Sequence, residues 1–374
     1  MKIKTVLASL FFLAAVTITC GTSDQTYTIE TIEGVKHIHN HAPLWGDEPR
    51  IKLEFVKEIG DKESDDENYY LFRPSDIGRD AGGNYYVLEQ TVNQIKVFDS
   101  DGKYKMTIGR KGQGPGEIGA ATRIAVSVEG NIYVPDQRNG RIQVFAPDGK
   151  DLGSTRFNTS PIPPPFRLLS TGEIVHEKII RRPLSGIRSG LVQITDLAGN
   201  PFREFAELND IDEKLLDKAR KILIAVDSVD NIYTAFRYLN RVEKYTSSGK
   251  LIFRADRPLN YETGSLKMRK IRALDGSIRE TYLMNTISQS IEVDSRGRIW
   301  ILSWLRELKD FENPSDREVL SSLFEFHVFD PNGIFLGVIP VESVVDKFRI
   351  SGDRLFIIDM LDEMCVYEYK IVEK

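Results

Sequence analysis

Pro74-Ser75-Asp76-Ile77-Gly78-Arg79-Asp80 runs into Gly83-Asn84-Tyr85-Tyr86-Val87, then Asn93-Gln94-Ile95-Lys96-Val97-Phe98-Asp99 and Asp101-Gly102-Lys103, and this order of segments returns along the chain. The second copy reads Arg123-Ile124-Ala125-Val126-Ser127, Gly130-Asn131-Ile132-Tyr133-Val134, Asn139-Gly140-Arg141-Ile142-Gln143-Val144-Phe145 and Asp148-Gly149-Lys150. A third begins at Ile224-Ala225-Val226-Asp227 and continues through Asp230-Asn231-Ile232-Tyr233, Arg241–Tyr245 and Ser248-Gly249-Lys250. A fourth holds Ile291–Asp294, Gly297-Arg298-Ile299-Trp300-Ile301, Phe326–Asp330 and Asn332-Gly333, with weaker copies at Thr171–Val175 and Ser351–Ile357. The turn positions Asn84, Asn131, Glu173, Asn231, Arg298 and Arg354 are separated by 47, 42, 58, 67 and 56 residues, which makes six units.

Within a unit, short alternating apolar runs are divided by Gly-Asn and Asp-Gly tips, where the backbone must accept positive φ. A four-stranded antiparallel unit of ~40–50 residues is a propeller blade, and radial repetition spares an all-β chain long open edges. The sequence therefore predicts an all-β fold, a six-bladed β-propeller of four-stranded antiparallel blades. A solenoid, the other repeat architecture, would need capping ends and more even repeat lengths. The last unit stops after its third strand, and Ile51–Gly60 stands unassigned ahead of the first. It resembles the fourth-strand segment Lys103–Gly109, so residues 51–59 are predicted to close the sixth blade from the N-terminal side.

The string Pro74–Lys103, with its echo at Arg123–Lys150, resembles the NHL repeat. The loop Gly109-Arg110-Lys111-Gly112-Gln113-Gly114-Pro115-Gly116-Glu117 resembles the inter-blade loop of bacterial six-bladed propeller lipoproteins. The resemblance implies a binding scaffold. Lys2 and Lys4 precede the apolar run Thr5–Thr19, too short to span a bilayer comfortably, and Cys20 follows at once, ahead of the small polar stretch Gly21–Gln25. That pattern resembles a bacterial lipoprotein signal, with Thr17 and Thr19 in the places usually held by Leu and a small residue. It implies a signal peptide at 1–19, acylation of Cys20, a lipid-attached tether over 20–50 and a propeller over 51–374. The expected address is the bacterial cell envelope at the outer membrane, with the lipid as the chain's only membrane contact. The expected role is a binding or scaffold module for an envelope protein, peptide or glycan.

The 374 residues carry 50 Lys+Arg against 55 Asp+Glu, a net charge of −5, so nothing gives the basic footprint of a nucleic-acid partner. Two cysteines more than three hundred residues apart do not make a disulfide scaffold, and Cys365 reads as an inert buried thiol. Mixed-charge insertions at Asp210–Arg220, Ser265–Asn285 and Arg306–Leu323 lengthen the second half. The first has the acidic start and basic end of a short helix, and loops added to a propeller tend to gather on one face, where ligands are met.

Candidate chemistry is sparse. His37, His39 and His41 alternate and would share a strand face, which suits a metal but suits packing or solvent better; His176 and His327 fall inside blade strands as structural histidines. Asp136 reads as a hydrogen-bonding group within its blade. Gly112–Gly116 lacks the Lys-Ser/Thr of a phosphate loop, and no Gly-x-Ser-x-Gly elbow is present. No catalytic residue, metal ligand or cofactor is assigned. The alternative is a metal-dependent lactonase-like hydrolase in the central channel, with Asp76 and Glu292 among its carboxylates, though no four-ligand set assembles; nor do two blade histidines suffice for the zinc of an amidating lyase.

In a propeller the first strand of each blade lines the channel, so residues at the starts of those strands converge on one mouth. That position gives Arg73 and Asp76, Arg123, Arg167, Arg220 and Lys221, Gln289, and Lys347 and Arg349, with Glu292 further along the fifth. Cations recur there in an acidic chain. They would either receive a carboxylate- or phosphate-bearing ligand or pair with Asp76, Glu117 or Glu292.

Overall fold

An aspartate shared by three of the repeats explains much of why the pattern recurs. At the end of the first strand of a blade, Asp80 accepts hydrogen bonds from the Asn84 backbone N–H (2.8 Å), Asn84 Nδ2 (2.8 Å) and Tyr86 OH (2.8 Å). Asp227 does the same with Asn231 and Tyr233, and Asp294 with Arg298 and the indole of Trp300. The carboxylate closes the turn and seats the aromatic ring of the second strand, a local solution repeated in sequence because it is repeated in space.

The computed structural model describes residues 25–158, 161–163, 165–178, 190–208, 215, 219–272, 276–313, 316–341 and 344–374. The segment 1–19, Cys20 and most of Asp210–Arg220 lie outside the described residues. A hairpin β1 (Tyr27–Ile32) and β2 (Val35–Asn40) comes first, then β3 (Ile51–Ile59). Blade one is β4 (Pro74–Arg79), β5 (Tyr85–Glu89), β6 (Gln94–Phe98) and β7 (Tyr104–Ile108). Blade two is β8 (Ala125–Val126), β9 (Ile132–Asp136), β10 (Arg141–Phe145) and β11 (Asp151–Arg156). Blade three is β12 (Arg167–Leu168), β13 (Ile174–Glu177), β14 (Val192–Thr195) and β15 (Pro201–Phe205). Blade four is β16 (Ile222–Val226), β17 (Ile232–Phe236), β18 (Val242–Tyr245) and β19 (Leu251–Ala255). The arm β20 (Leu266–Arg272) and β21 (Ile278–Met284) precedes blade five, which is β22 (Ser288–Val293), β23 (Ile299–Trp304), the short helix α1 (Arg317–Ser321), β24 (Phe324–Phe329) and β25 (Phe335–Pro340). Blade six is β26 (Lys347–Ser351), β27 (Arg354–Asp359) and β28 (Cys365–Glu373), completed by β3. The fold is the predicted six-bladed β-propeller.

β3 runs antiparallel to β28 from Ile59↔Val366 to Ile51↔Glu373, so the N-terminal closure predicted for residues 51–59 is present. The inner strands β4, β8, β12, β16, β22 and β26 touch in succession, and β26 returns to β4. Apolar side chains form six buried slabs among the described residues, each between two neighbouring blades. Trp300, Phe326 and Phe348 fill the slab between blades five and six, and Tyr86, Ile95 and Phe145 the slab between one and two. The core is thus distributed around the ring, and each blade holds its neighbours through dehydrated aromatic and branched surfaces.

Residues 27–50 differ from the expected tether. β1 and β2 pair with each other, and β2 adds in parallel to β19, the outer strand of blade four. Asn40 is buried and donates to the carbonyls of Asp256 and Gly333 while accepting from the Phe335 N–H, so it stitches blade four to blade five. Leu44 and Trp45 then hydrogen-bond the backbone of β25, and Trp45 packs over Gly337, where a Cβ would come within 2.9 Å of the indole. The strap from 27 to 59 covers the outer edges of blades four, five and six.

His39 holds the start of the strap, with Nδ1 2.8 Å from Asp256 and Nε2 3.1 Å from Glu30. Burial works against its protonation, but the two hydrogen-bonded carboxylates outweigh this and keep its pKa above the ordinary 6.5. A raised folded pKa lends stability below the unfolded value and loses it as pH rises through the folded one. Amide protection across 27–40, corrected for intrinsic exchange, should therefore be greater at pH 6 than at pH 8.5, and His39→Gln should remove the difference. Equal protection at both pH values in the parent would refute the bridge.

The two blade histidines are structural: His176 is buried with Nδ1 on the Glu177 carbonyl, and burial pushes His327 down to about 4 despite Glu325 at 2.7 Å. Cys365 is a buried free thiol, pushed up to about 12 by burial. Asp136 accepts from the Gly119 and Ala120 N–H groups and so fastens the inter-blade loop to its blade. The insertion Ser265–Asn285 is the β20–β21 arm, and Arg306–Leu323 carries α1. Among the described residues no helix is long and apolar enough to cross a membrane.

Candidate functional site

Four inner strands meet through charge in the central channel. Arg349 on β26 grips Asp76 on β4 with both arms of its fork, Nε to Oδ1 and Nη2 to Oδ2, each at 2.6 Å. Its Nη1 lies 3.0 Å from Glu292 Oε1 on β22, and Arg167 Nη2 on β12 meets the same oxygen at 2.7 Å. Blades one, three, five and six are tied by this chain of fork-and-carboxylate bonds. Lys347 donates to the Ser75 carbonyl at 2.8 Å, and the Ile124 N–H donates to Asp76.

The electrostatics are lopsided. Asp76 is 1 % exposed, and burial alone would raise its carboxyl pKa, yet Arg349 in contact, with Arg123 and Lys347 beside it, holds it at about 2. Burial pushes Lys347 down to about 8 against the pull of Asp76, and pushes Arg167 down with help from Arg349. Four cations, Arg123, Arg167, Lys347 and Arg349, stand around two carboxylates. Arg123 has no hydrogen bond or ion pair to any described residue, and Arg167 Nε and Nη1 are buried without an acceptor. An added anion would relieve that excess of buried positive charge.

Beside the network lies a cavity of about 190 Å³ bounded by Arg123, Arg167, Glu177, Lys221, Arg237 and Gln289. Lys221 reaches Glu177 at 3.8 Å, and Arg237 Nη2 donates to Gln289 Oε1 at 2.8 Å. Neither Arg237 nor Arg123 makes a direct ion pair with a carboxylate of a described residue, Arg123 being drawn to Asp76 and Glu292 only from a distance. The floor is the apolar start of β16. Three guanidinium groups and one ammonium thus line this cavity against a single carboxylate, Glu177.

The fold brings Asp76, Arg123, Arg167, Glu292, Lys347 and Arg349 together as the strand starts implied, with Lys221 and Gln289 on the far wall of the cavity. Arg220 comes near Glu177 without lining the cavity. Arg73 is exposed at the start of β4, with φ of 62°, and also lines none of it. Glu117 is no partner for the mouth, because its carboxylate folds back onto Arg110 and the Gln113 and Gly114 N–H groups. Glu177 and Arg237 were missed; both stand at the ends of second strands, whose termini reach the mouth as the first-strand starts do. Asp76 and Glu292 are committed to arginine, and no three His, Cys, Asp or Glu side chains among the described residues are grouped to hold a metal ion, so the residues present do not fit the lactonase-like centre.

Residues 66–168 match the model of a family, DUF5128, described as a 6-bladed beta-propeller. No curated protein matches the chain. Among solved structures, a member of the DUF4221 family from Bacteroides vulgatus is similar at 11% identity and a TM-score of 0.57, over 87% of this chain and 99% of its own. A protein from Bacteroides fragilis classed as exported is similar at 14% identity and a TM-score of 0.55, over 90% and 99%. The PQQ-bound aldose sugar dehydrogenase of Streptomyces coelicolor is similar at 13% identity and a TM-score of 0.51, over 87% and 99%. At these identities the likeness is one of fold.

Proposed function

We propose that this chain is an exported envelope protein, held at a membrane through Cys20, whose propeller binds a ligand bearing a carboxylate or phosphate at the channel mouth. The observation that carries the binding role is the pair Arg123 and Arg237, two guanidinium groups without a direct ion pair to a described carboxylate on one cavity whose other arginine, Arg167, is already paired with Glu292. A planar fork of donors left open in a partly dehydrated pocket suits carboxylate and phosphate. The address rests on the Lys2-to-Cys20 pattern and agrees with the exported class of the Bacteroides fragilis structure.

Titration calorimetry with inorganic phosphate tests the binding role. The parent should bind, and Arg123→Gln should weaken binding at least tenfold, about 1.4 kcal/mol, in a variant that still folds, since Arg123 makes no hydrogen bond to a described residue. Phosphate bound equally by the variant would overturn the assignment. For the address, Cys20→Ala should move the chain from the membrane to the soluble fraction; unchanged partition would refute lipidation.

A further inference from the structure

The channel cavity has a neighbour. A second cavity of about 300 Å³ shares Arg237 and Gln289 with it and opens between the upper loops of blades four, five and six. Its walls are of another character: Tyr238, Met284, Trp304, Leu308, Leu320 and Phe324 give it aromatic and aliphatic surface. Leu308 and Leu320 belong to the Arg306–Leu323 insertion and Met284 to the β20–β21 arm, so two of the three insertions build this wall.

Among the described residues, the charges at its rim are accounted for, with one exception. Arg269 is held by Glu307 and Asn285, and Asp346 by Arg317 at 2.8 Å and by the Met360 N–H at 2.8 Å. Among the described residues Arg237 bonds only the neutral Gln289 with its side chain, at the junction of the two cavities. Trp304 is 5 % exposed, and its Nε1 is buried without an acceptor. Ligand sites combine an apolar hollow of about this size with a few placed polar groups, and here the hollow leads to a cation that in turn leads to the anion pocket.

We infer that the ligand is amphiphilic, an aromatic or branched acyl body seated under the β20–β21 arm and α1, joined to an anionic group that passes Arg237 into the channel cavity. This rests on the anion-binding reading and adds the class of molecule. It assigns Arg237 as the residue that contacts the ligand at the join. The insertions then serve as the specificity wall, while the blades supply the charge. A free inorganic anion would use one cavity and leave the other unfilled.

The test compares phenyl phosphate with inorganic phosphate by calorimetry on the full chain. Phenyl phosphate is expected to bind at least tenfold tighter. Leu320→Trp and, separately, Leu308→Trp fill the second cavity and should bring the ratio of the two affinities close to one; two sites are used because either bulky side chain alone can disturb its loop, which a melt will show. Arg237→Gln should weaken phenyl phosphate at least tenfold. Equal affinity for the two probes in the parent would overturn the amphiphilic ligand and leave the anion pocket standing. Binding of neither probe would overturn the anion pocket itself. A ratio unchanged in both folded Trp variants would overturn the placement of the apolar body.

Discussion

A chain lacking residues 51–59 is expected to lose its cooperative melt and to leave solution as aggregate. β3 is the outer strand of blade six, and it also plugs two slabs: Ile51 is 1 % exposed between blades five and six, and Ile59 is 0 % exposed between blades six and one. Truncating one buried isoleucine costs about 2–5 kcal/mol, and both go together with the whole β3–β28 ladder. A loss of that size reaches the total stability of many domains, about 5–15 kcal/mol. The nine-residue β28, with Tyr367 and Tyr369 along it, becomes a long open edge, which templates pairing between chains. Differential scanning calorimetry and size-exclusion chromatography read the outcome; a truncated monomer melting like the parent would show that the ring closes without β3.

The second large effect is expected from Asp76→Ala. The substitution strips Arg349 of two of its three ion-pair bonds and leaves four cations facing Glu292 alone. Breaking a buried pair from one side costs about 3–5 kcal/mol, because the remaining charge keeps its desolvation without its partner. Asp76→Ala with Arg349→Met should therefore cost less than the sum of the two single changes, and full additivity would show that the pair is not coupled. The acid limb of stability follows the same group. Its folded pKa of about 2 lies below the ordinary 3.8, so its contribution is complete above about pH 4 and is lost as pH falls toward 2. Asp76→Ala should flatten that part of the stability–pH curve.

The blades were legible because local chemistry fixes their turns: Asp80 with Asn84 and Tyr86, and Asp227 with Asn231 and Tyr233, keep one spacing, which Asp294 and Trp300 repeat around Arg298. The channel was half legible for a related reason. First-strand starts follow from the repeat register, so Asp76, Arg123, Arg167 and Arg349 could be placed before any contact was known, but their pairing depends on the diameter of the ring, which no single blade encodes. Glu177 and Arg237 stand on second strands, where the same convergence operates and was not applied. Residues 27–40 alternate in strand fashion, yet their partner β19 lies more than two hundred residues away and pairs in parallel, a contact that local pattern cannot reveal. The β20–β21 arm was hidden by its charge, since Lys267, Arg269 and Lys270 read as solvated surface rather than strand.

The strap also sets how the molecule bears load. A pull applied at residue 25 enters at the β1–β2 hairpin, passes to blade four through the parallel β2–β19 pairing and Asn40, to blade five through Leu44 and Trp45, and to blade six through β3. These linkages act in series along the rim, so tension reaches the second half of the ring before the first. Blades four, five and six are also the blades whose upper loops enclose the larger cavity. For a propeller held by its N-terminal end, the same backbone that carries the load lies on the three blades whose loops enclose this cavity, so slack or tension in the suspension is felt first by its walls.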